Sequence, residues 1–318
     1  MSITGSLRAG RNSGGNTLSA SDYIILDERF AGLIHVNAAP EVLWDGGRWT
    51  EGPVYFHAGR YVIWSDIPND RILRWDEMNG AVAAFEQPCR NQNGHTLDRE
   101  GRMIACEHRS RCISRYEHDG TRTVLADAHE GKPLNSPNDV VVKSDGSIWF
   151  SDPSYGIDSD YEGDAAPAEQ DGRHVYRIDP AGEITRVISD MKQPNGLAFS
   201  PDESLLYVAD TGGTHFPDCA PVIRAYPVSP DGRSVGAGTD FATCSEGFFD
   251  GFRVDTGGNI WSSAGDGVHC FAPDGALLGK ILIDQVVSNL CFGGPKRNRL
   301  FICATTTLRA IYVNATGC

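Results

Sequence analysis

Positive charge is scarce in this chain. Its 28 Lys and Arg stand against 42 Asp and Glu, for a net charge of −14. That balance argues against nucleic acid or an anionic membrane surface as a partner, since both need a basic face. Long apolar runs are missing too. No stretch of about 18 apolar residues occurs, so no transmembrane helix is expected. The opening MSITGSLRAGRNSGGNTLSA holds no apolar core and does not make a secretory signal. Residues 1–21 read instead as a disordered Gly/Ser/Asn tail, with 22–318 as the folded catalytic domain. The nine cysteines are an odd number, and no pair has CxxC spacing. Cys106, Cys270, Cys291 and Cys303 fall inside apolar strand patterns, where cysteine acts as a small hydrophobe. This usage fits a reducing cytoplasm and offers no thiolate zinc site.

Helical periodicity is also absent; Val, Ile, Phe, Tyr and Trp dominate the apolar runs. What is present is a repeat. The segments TEGPVYF, QNGHTLD, SPNDVVV, QPNGLAF, FDGFRVD and SNLCFGG carry Glu51, Asn93, Asn138, Asn195, Asp250 and Asn289, spaced by 42, 45, 57, 55 and 39 residues. Each leads through a turn to a second strand: YVIWSD, MIACEH, SIWFSD, LLYVAD, NIWSSA and LFICAT. The turns, such as KSDGS, DREGR and DTGGN, are hairpin signals, because Gly takes positive φ freely and Asp tolerates it. Third strands such as RILRWD and HVYRID follow, and fourth strands such as AVAAFEQ and ITRVISD complete the unit.

Six repeats of four strands predict an all-β fold, a six-bladed β-propeller. The last repeat runs out after three strands, near Val313, and APEVLWDGG before Glu51 has strand character. That N-terminal strand is expected to complete the last blade and close the ring. The innermost strands line the central channel, so their six polar residues should converge at one end. Two carboxylates and four amides with no thiolate suit a hard divalent cation. Without one, the two acids would repel, and one would have a raised pKa. Turn residues alone would explain Asn-Gly and Asp-Gly. They do not explain Glu51, because glutamate is not a preferred turn residue.

At these segments the chain resembles the gluconolactonase family, which includes regucalcin, the senescence marker protein. The likeness extends over roughly residues 22–318 and is densest at WTEGPVYF, LNSPNDVVVKSDGSIWFSDPSYG, QPNGLAFSPDESLLYVADTG and DGFRVDTGGNIW. The resemblance implies a sugar lactonase with one divalent cation, Ca²⁺ first and Mg²⁺, Mn²⁺ or Zn²⁺ as the other choices. It implies Glu51, Asn195 and Asp250 as metal ligands, with Asn138 as a further ligand or substrate contact. Some members have an Arg two residues before that Asn; here the position is Ser136.

The expected reaction opens an aldonolactone, such as gluconolactone, to its aldonate. Asp250, Glu51 and Asn138 form the catalytic set, and Asp250 is the first choice of general base. Asp139 is the second choice of base and, with Asn93, Asn138, His95 and Tyr155, a substrate contact. His95 is placed at the channel mouth, whereas His108 reads as structural. The acidic loop PSYGIDSDYEGDAAPAEQDGR and the segment DTGGTHFPDCAP, which holds His215, are read as walls of the pocket. Two other readings stay open: a metal-dependent organophosphate hydrolase and a non-enzymatic calcium-binding propeller. The protein is expected to act as a monomer on a small molecule.

Overall fold

The computed structural model describes residues 22–318. The tail expected over 1–21 lies outside them. Six sheets stand around a central channel as a six-bladed β-propeller. Blade one runs Thr50–Phe56, Tyr61–Asp66, Arg71–Asp76 and Val82–Glu86 from the channel outward. Blades two to five repeat the order, their innermost strands being Gln92–Leu97, Val140–Val142, Pro194–Phe199 and Phe252–Val254. Blade six supplies Val287–Gly293, Arg299–Ala304 and Thr307–Tyr312. Its outer strand is Glu41–Asp45, from the beginning of the chain, so the ring closes as expected. A strand that sequence did not suggest, Tyr23–Ile25, adds a fifth rung outside blade five. Among the described residues no helix is long and apolar enough to cross a membrane.

The hairpins form where the turn chemistry places them. In blade three, Lys143 and Ser147 close the turn through a 2.9 Å backbone bond, and Asp145 accepts from the Ser147 amide. Gly146 takes the positive φ of 85° that the turn demands.

Six apolar clusters hold the ring, one at each contact between neighbouring blades. Trp64, Trp149 and Trp261, from three second strands, are fully buried in three of them. Burial of such rings is the main stabilising term, and truncating one costs about 3–5 kcal/mol.

A second repeated device works in polar contacts. Asp66, Asp152 and Asp210 end the second strands of blades one, three and four and are buried. Each accepts from a backbone amide just ahead of its blade's innermost strand or at its entrance: Arg48 at 2.9 Å, Asn135 at 2.8 Å, and Lys192 with Gln193 at 2.9 Å each. These bonds hold the entrances of the innermost strands at one end of the channel.

Candidate active site

Each polar residue of the repeat sits where its innermost strand leaves regular pairing. In blade one the ladder slips between Glu51 and Val54, in blade two between Gln92 and His95, in blade four between Pro194 and Leu197, and in blade six between Val287 and Asn289. Each slip is a β-bulge with one extra residue on the inner strand. Bulges re-aim side chains, and they are concentrated beside active sites.

The glycine after the polar residue has a steric cause. A Cβ on Gly52 would lie 2.0 Å from the Asn93 carbonyl oxygen, and one on Gly251 would lie 2.0 Å from the Asn289 amide carbon. Only glycine lets one innermost strand approach the next so closely. The strands are then linked directly: the Gly94 amide donates to the Asn138 carbonyl at 2.8 Å, and Gly251 donates to Ser288 at 2.7 Å.

The resulting ring brings Glu51 and Asp250 together. Glu51 is 2% exposed, and its Oε2 accepts from the Gly52 amide at 2.7 Å and from Asn289 Nδ2 at 3.0 Å. Burial pushes the Glu51 carboxyl well above its usual range, and the charge of Asp250 adds to the rise. Burial also raises Asp250, with Glu162 and Asp139 contributing, while the Asn195 amide and Glu51 pull it back. Asn195 and Asn138 are buried in the same ring. Asn93 donates from Nδ2 toward His108 Nε2 at 3.3 Å, and its buried Oδ1 has no hydrogen-bond partner.

Among the described residues, no Lys, Arg or His forms an ion pair with Glu51 or Asp250. Buried carboxylates without a cationic partner are costly. Among those residues, too, no cluster of three or more His, Cys, Asp and Glu forms. The donor set is therefore two acids and amide oxygens. It fits a hard divalent ion held by Glu51, Asn138, Asn195 and Asp250, and it lacks the nitrogen or sulfur that zinc prefers.

Other residues fall elsewhere than sequence reasoning put them. His95 is fully buried between blades one and two and does not stand at the mouth. Its Nδ1 meets the Gly52 carbonyl at 2.7 Å and its Nε2 meets Gln92 Oε1 at 3.0 Å, so neither nitrogen is left for a substrate. The bulge at Asn93–Gly94 is the cause, because the extra residue turns His95 off the Asn93 face. Asp139 is also spent: Oδ1 accepts from the Val140 amide at 2.9 Å and Oδ2 pairs with Arg253 at 3.3 Å. That leaves it poorly suited to act as a base or a substrate contact. Ser136 donates to the Pro153 carbonyl and accepts from the Gly156 amide, anchoring the long loop.

That loop is clamped. Arg109 holds Asp164 at 3.1 Å, Arg111 holds Glu169 at 2.5 Å, and His215 meets Asp158 at 2.9 Å. Tyr155, on the short helix Tyr155–Asp158, bonds Thr214 Oγ1 at 3.0 Å, and the charge of Asp250 reaches it. The loop thereby brings Tyr155 and Glu162 to the ring. Burial raises the Glu162 carboxyl to about 7, and its backbone carbonyl meets His108 Nδ1 at 3.1 Å.

His108, which sequence reasoning read as structural, and Glu162, which it did not single out, also lie beside the ring. The signal for His108 was available. In an antiparallel hairpin the end of the second strand lies beside the start of the first, and the His108 amide does donate to Asn91. Glu162 carried no local signal, since its approach depends on a loop fold fixed by distant arginines.

A six-bladed propeller with an acid and amide ring at one end of its channel, roofed by a long loop, is built as a small-molecule enzyme. The family follows from comparison. Residues 49–306 match the model of the SMP-30/Gluconolactonase/LRE-like region, and the chain belongs to that family. It is 30% identical to a gluconolactonase of Zymomonas mobilis over 95% of this chain and 89% of that one. It is 28% identical to a pentonolactonase of Haloferax volcanii over 80% of this chain and 81% of that one. A solved structure of a gluconolactonase from Xanthomonas campestris superposes with a TM-score of 0.86 at 36% identity, covering 95% of this chain and 98% of that one.

Proposed function

We propose that this protein is a metal-dependent lactonase that hydrolyses a sugar lactone, an aldonolactone such as gluconolactone, to the open-chain aldonic acid. The observation that carries the reading is the pairing of buried Glu51 with half-buried Asp250, with no cationic side chain among the described residues to balance it, framed by buried Asn138 and Asn195. Relatives named for gluconolactone and pentonolactone hydrolysis support the substrate class. A divalent cation held by these four residues, Ca²⁺ first, supplies Lewis-acid polarisation of an ester carbonyl and a more acidic water.

The chain's own residues carry the rest. Asp250 takes the proton of the attacking water, a role typically worth about 10²–10⁴-fold. Its raised proton affinity suits it to hold that proton until the ring C–O bond breaks and the leaving oxygen needs it. Glu51 is aimed by Gly52 and Asn289 and keeps its position through the cycle. Asn93 offers an unpaired carbonyl oxygen and Tyr155 a hydroxyl to the sugar's hydroxyl groups. The clamped loop above them excludes bulk water.

The test follows acid release from a panel of aldonolactones. Metal-stripped protein is compared before and after Ca²⁺, Mg²⁺, Mn²⁺ or Zn²⁺ is restored. Hydrolysis that returns with one cation is the expected result. Cation binding with no turnover of any lactone would overturn the reading.

A further inference from the structure

The channel has a second mouth, on the face opposite the ring. A cavity of about 850 Å³ opens there, and Pro53, Val141, Ala198 and Cys291 line its inner part. The guanidinium beside these apolar residues is Arg253, whereas Arg99 on the same cavity is engaged with the Val142 and Lys143 carbonyls and with Glu203 at 3.6 Å. Arg253 Nη1 is spent, donating to the Phe252 carbonyl at 2.7 Å and pairing with Asp139 Oδ2 at 3.3 Å. Its Nε and Nη2 find no partner among the described residues, and its side chain is 17% exposed. Arg297 and His57 also line the cavity, and neither forms an ion pair with a described residue. They stand close together: burial, and then the Arg297 charge, hold His57 below its usual range. The acids of this face are already engaged. Asp98 pairs with Arg102 at 2.7 Å, Glu203 with Lys143 at 2.9 Å, and Asp202 accepts from Ser200 and Ser204.

Guanidinium N–H groups unspent at the inner end of a partly apolar cavity match a carboxylate, which accepts two parallel bonds from that fork. The volume is that of a small-molecule site. Thr96, Ser144 and Ser200 put hydroxyls on the same walls. We propose that this rear cavity binds a small organic carboxylate, gripped by Arg253 inside and Arg297 nearer the opening, at a place distinct from the ring at the front. The proposal stands apart from the lactonase reading, because none of its residues belongs to the ring.

The probe is D-gluconate, with sorbitol as the uncharged polyol of similar length, titrated calorimetrically into the full chain. Glu51→Gln serves as the background, because it disables the front ring. Gluconate should bind this variant and sorbitol should not. Arg297→Gln, and separately Arg253→Gln, should weaken gluconate by about tenfold or more, the loss of one charge-assisted contact. Arg297→Gln keeps the test valid if the Arg253 variant folds poorly, since its residue is nearer solvent. The proposal is overturned if Glu51→Gln protein binds no gluconate, if sorbitol binds as well as gluconate, or if Arg297→Gln leaves the affinity unchanged. Lactone turnover is measured in a separate assay, so the two readings fail independently.

Discussion

The two ends of one channel carry opposite chemistry. At the front, buried Glu51 and half-buried Asp250 have no cationic partner among the described residues and are roofed by the loop that brings Tyr155 and Glu162. At the back, Arg253, Arg297 and His57 face an open cavity. The same innermost strands build both ends, and only two residues separate Asp250 from Arg253. What differs is the backbone. The front half of four of these strands is bulged and rich in glycine, whereas the rear half pairs regularly. A propeller thus separates its functions along the strand direction, with irregular backbone where side chains must converge.

The contrast can be broken most severely at the front. Asp250→Asn should lower lactone turnover by about 10³-fold or more, because the proposed mechanism makes that one residue both base and ligand. Glu51→Gln should follow closely. Stopped-flow acid release, with circular dichroism to verify folding, checks both. Loss of activity with an unchanged melting temperature is the expected pair of results.

Acid should act through buried histidines. Burial holds His95 and His108 at about 4, well below the ordinary imidazole value. The unfolded chain therefore binds protons that the folded one refuses, and stability falls as pH drops from about 6.5 toward 4. Each histidine contributes about 3 kcal/mol to that loss at most. Urea unfolding across this range should show the decline, and His95→Gln should flatten it.

Crowding at the ring should cost less. Gly94→Ala places a Cβ 2.5 Å from the Asn138 carbonyl oxygen and 2.8 Å from Asp139 Oδ1. Destabilisation of about 1–3 kcal/mol is expected, with divalent affinity reduced in calorimetry because Asn138 is displaced. Normal affinity in a folded Gly94→Ala protein would show that the ring is more compliant than its packing implies.

The mildest change is at the roof. Tyr155→Phe removes the hydroxyl that meets Thr214 and the Thr211 carbonyl. About 1 kcal/mol is at stake, so KM for the preferred lactone should rise about fivefold while kcat changes little.

Much of this was legible in the chain itself. The repeat of X-Gly entrances, Asp-Gly turns and strands reads directly as blades, since turn chemistry and period-two alternation are local. Closure was legible too, because a blade short of one strand and an unpaired strand before Glu51 have only each other. Glu51 stood out because no turn or cap explains it. The rest depended on contacts between distant residues. One extra residue in a bulge reverses the face of every side chain after it, so His95 went into a blade interface while Asn93 kept the channel. Antiparallel pairing returned His108 to the Asn93 side, Arg253 took Asp139 out of the reacting set, and Arg109 with Arg111 set where Glu162 would hang. Local pattern determined which elements form. Only packing among six blades decided which way their side chains face, because that direction is set by neighbours far away in sequence.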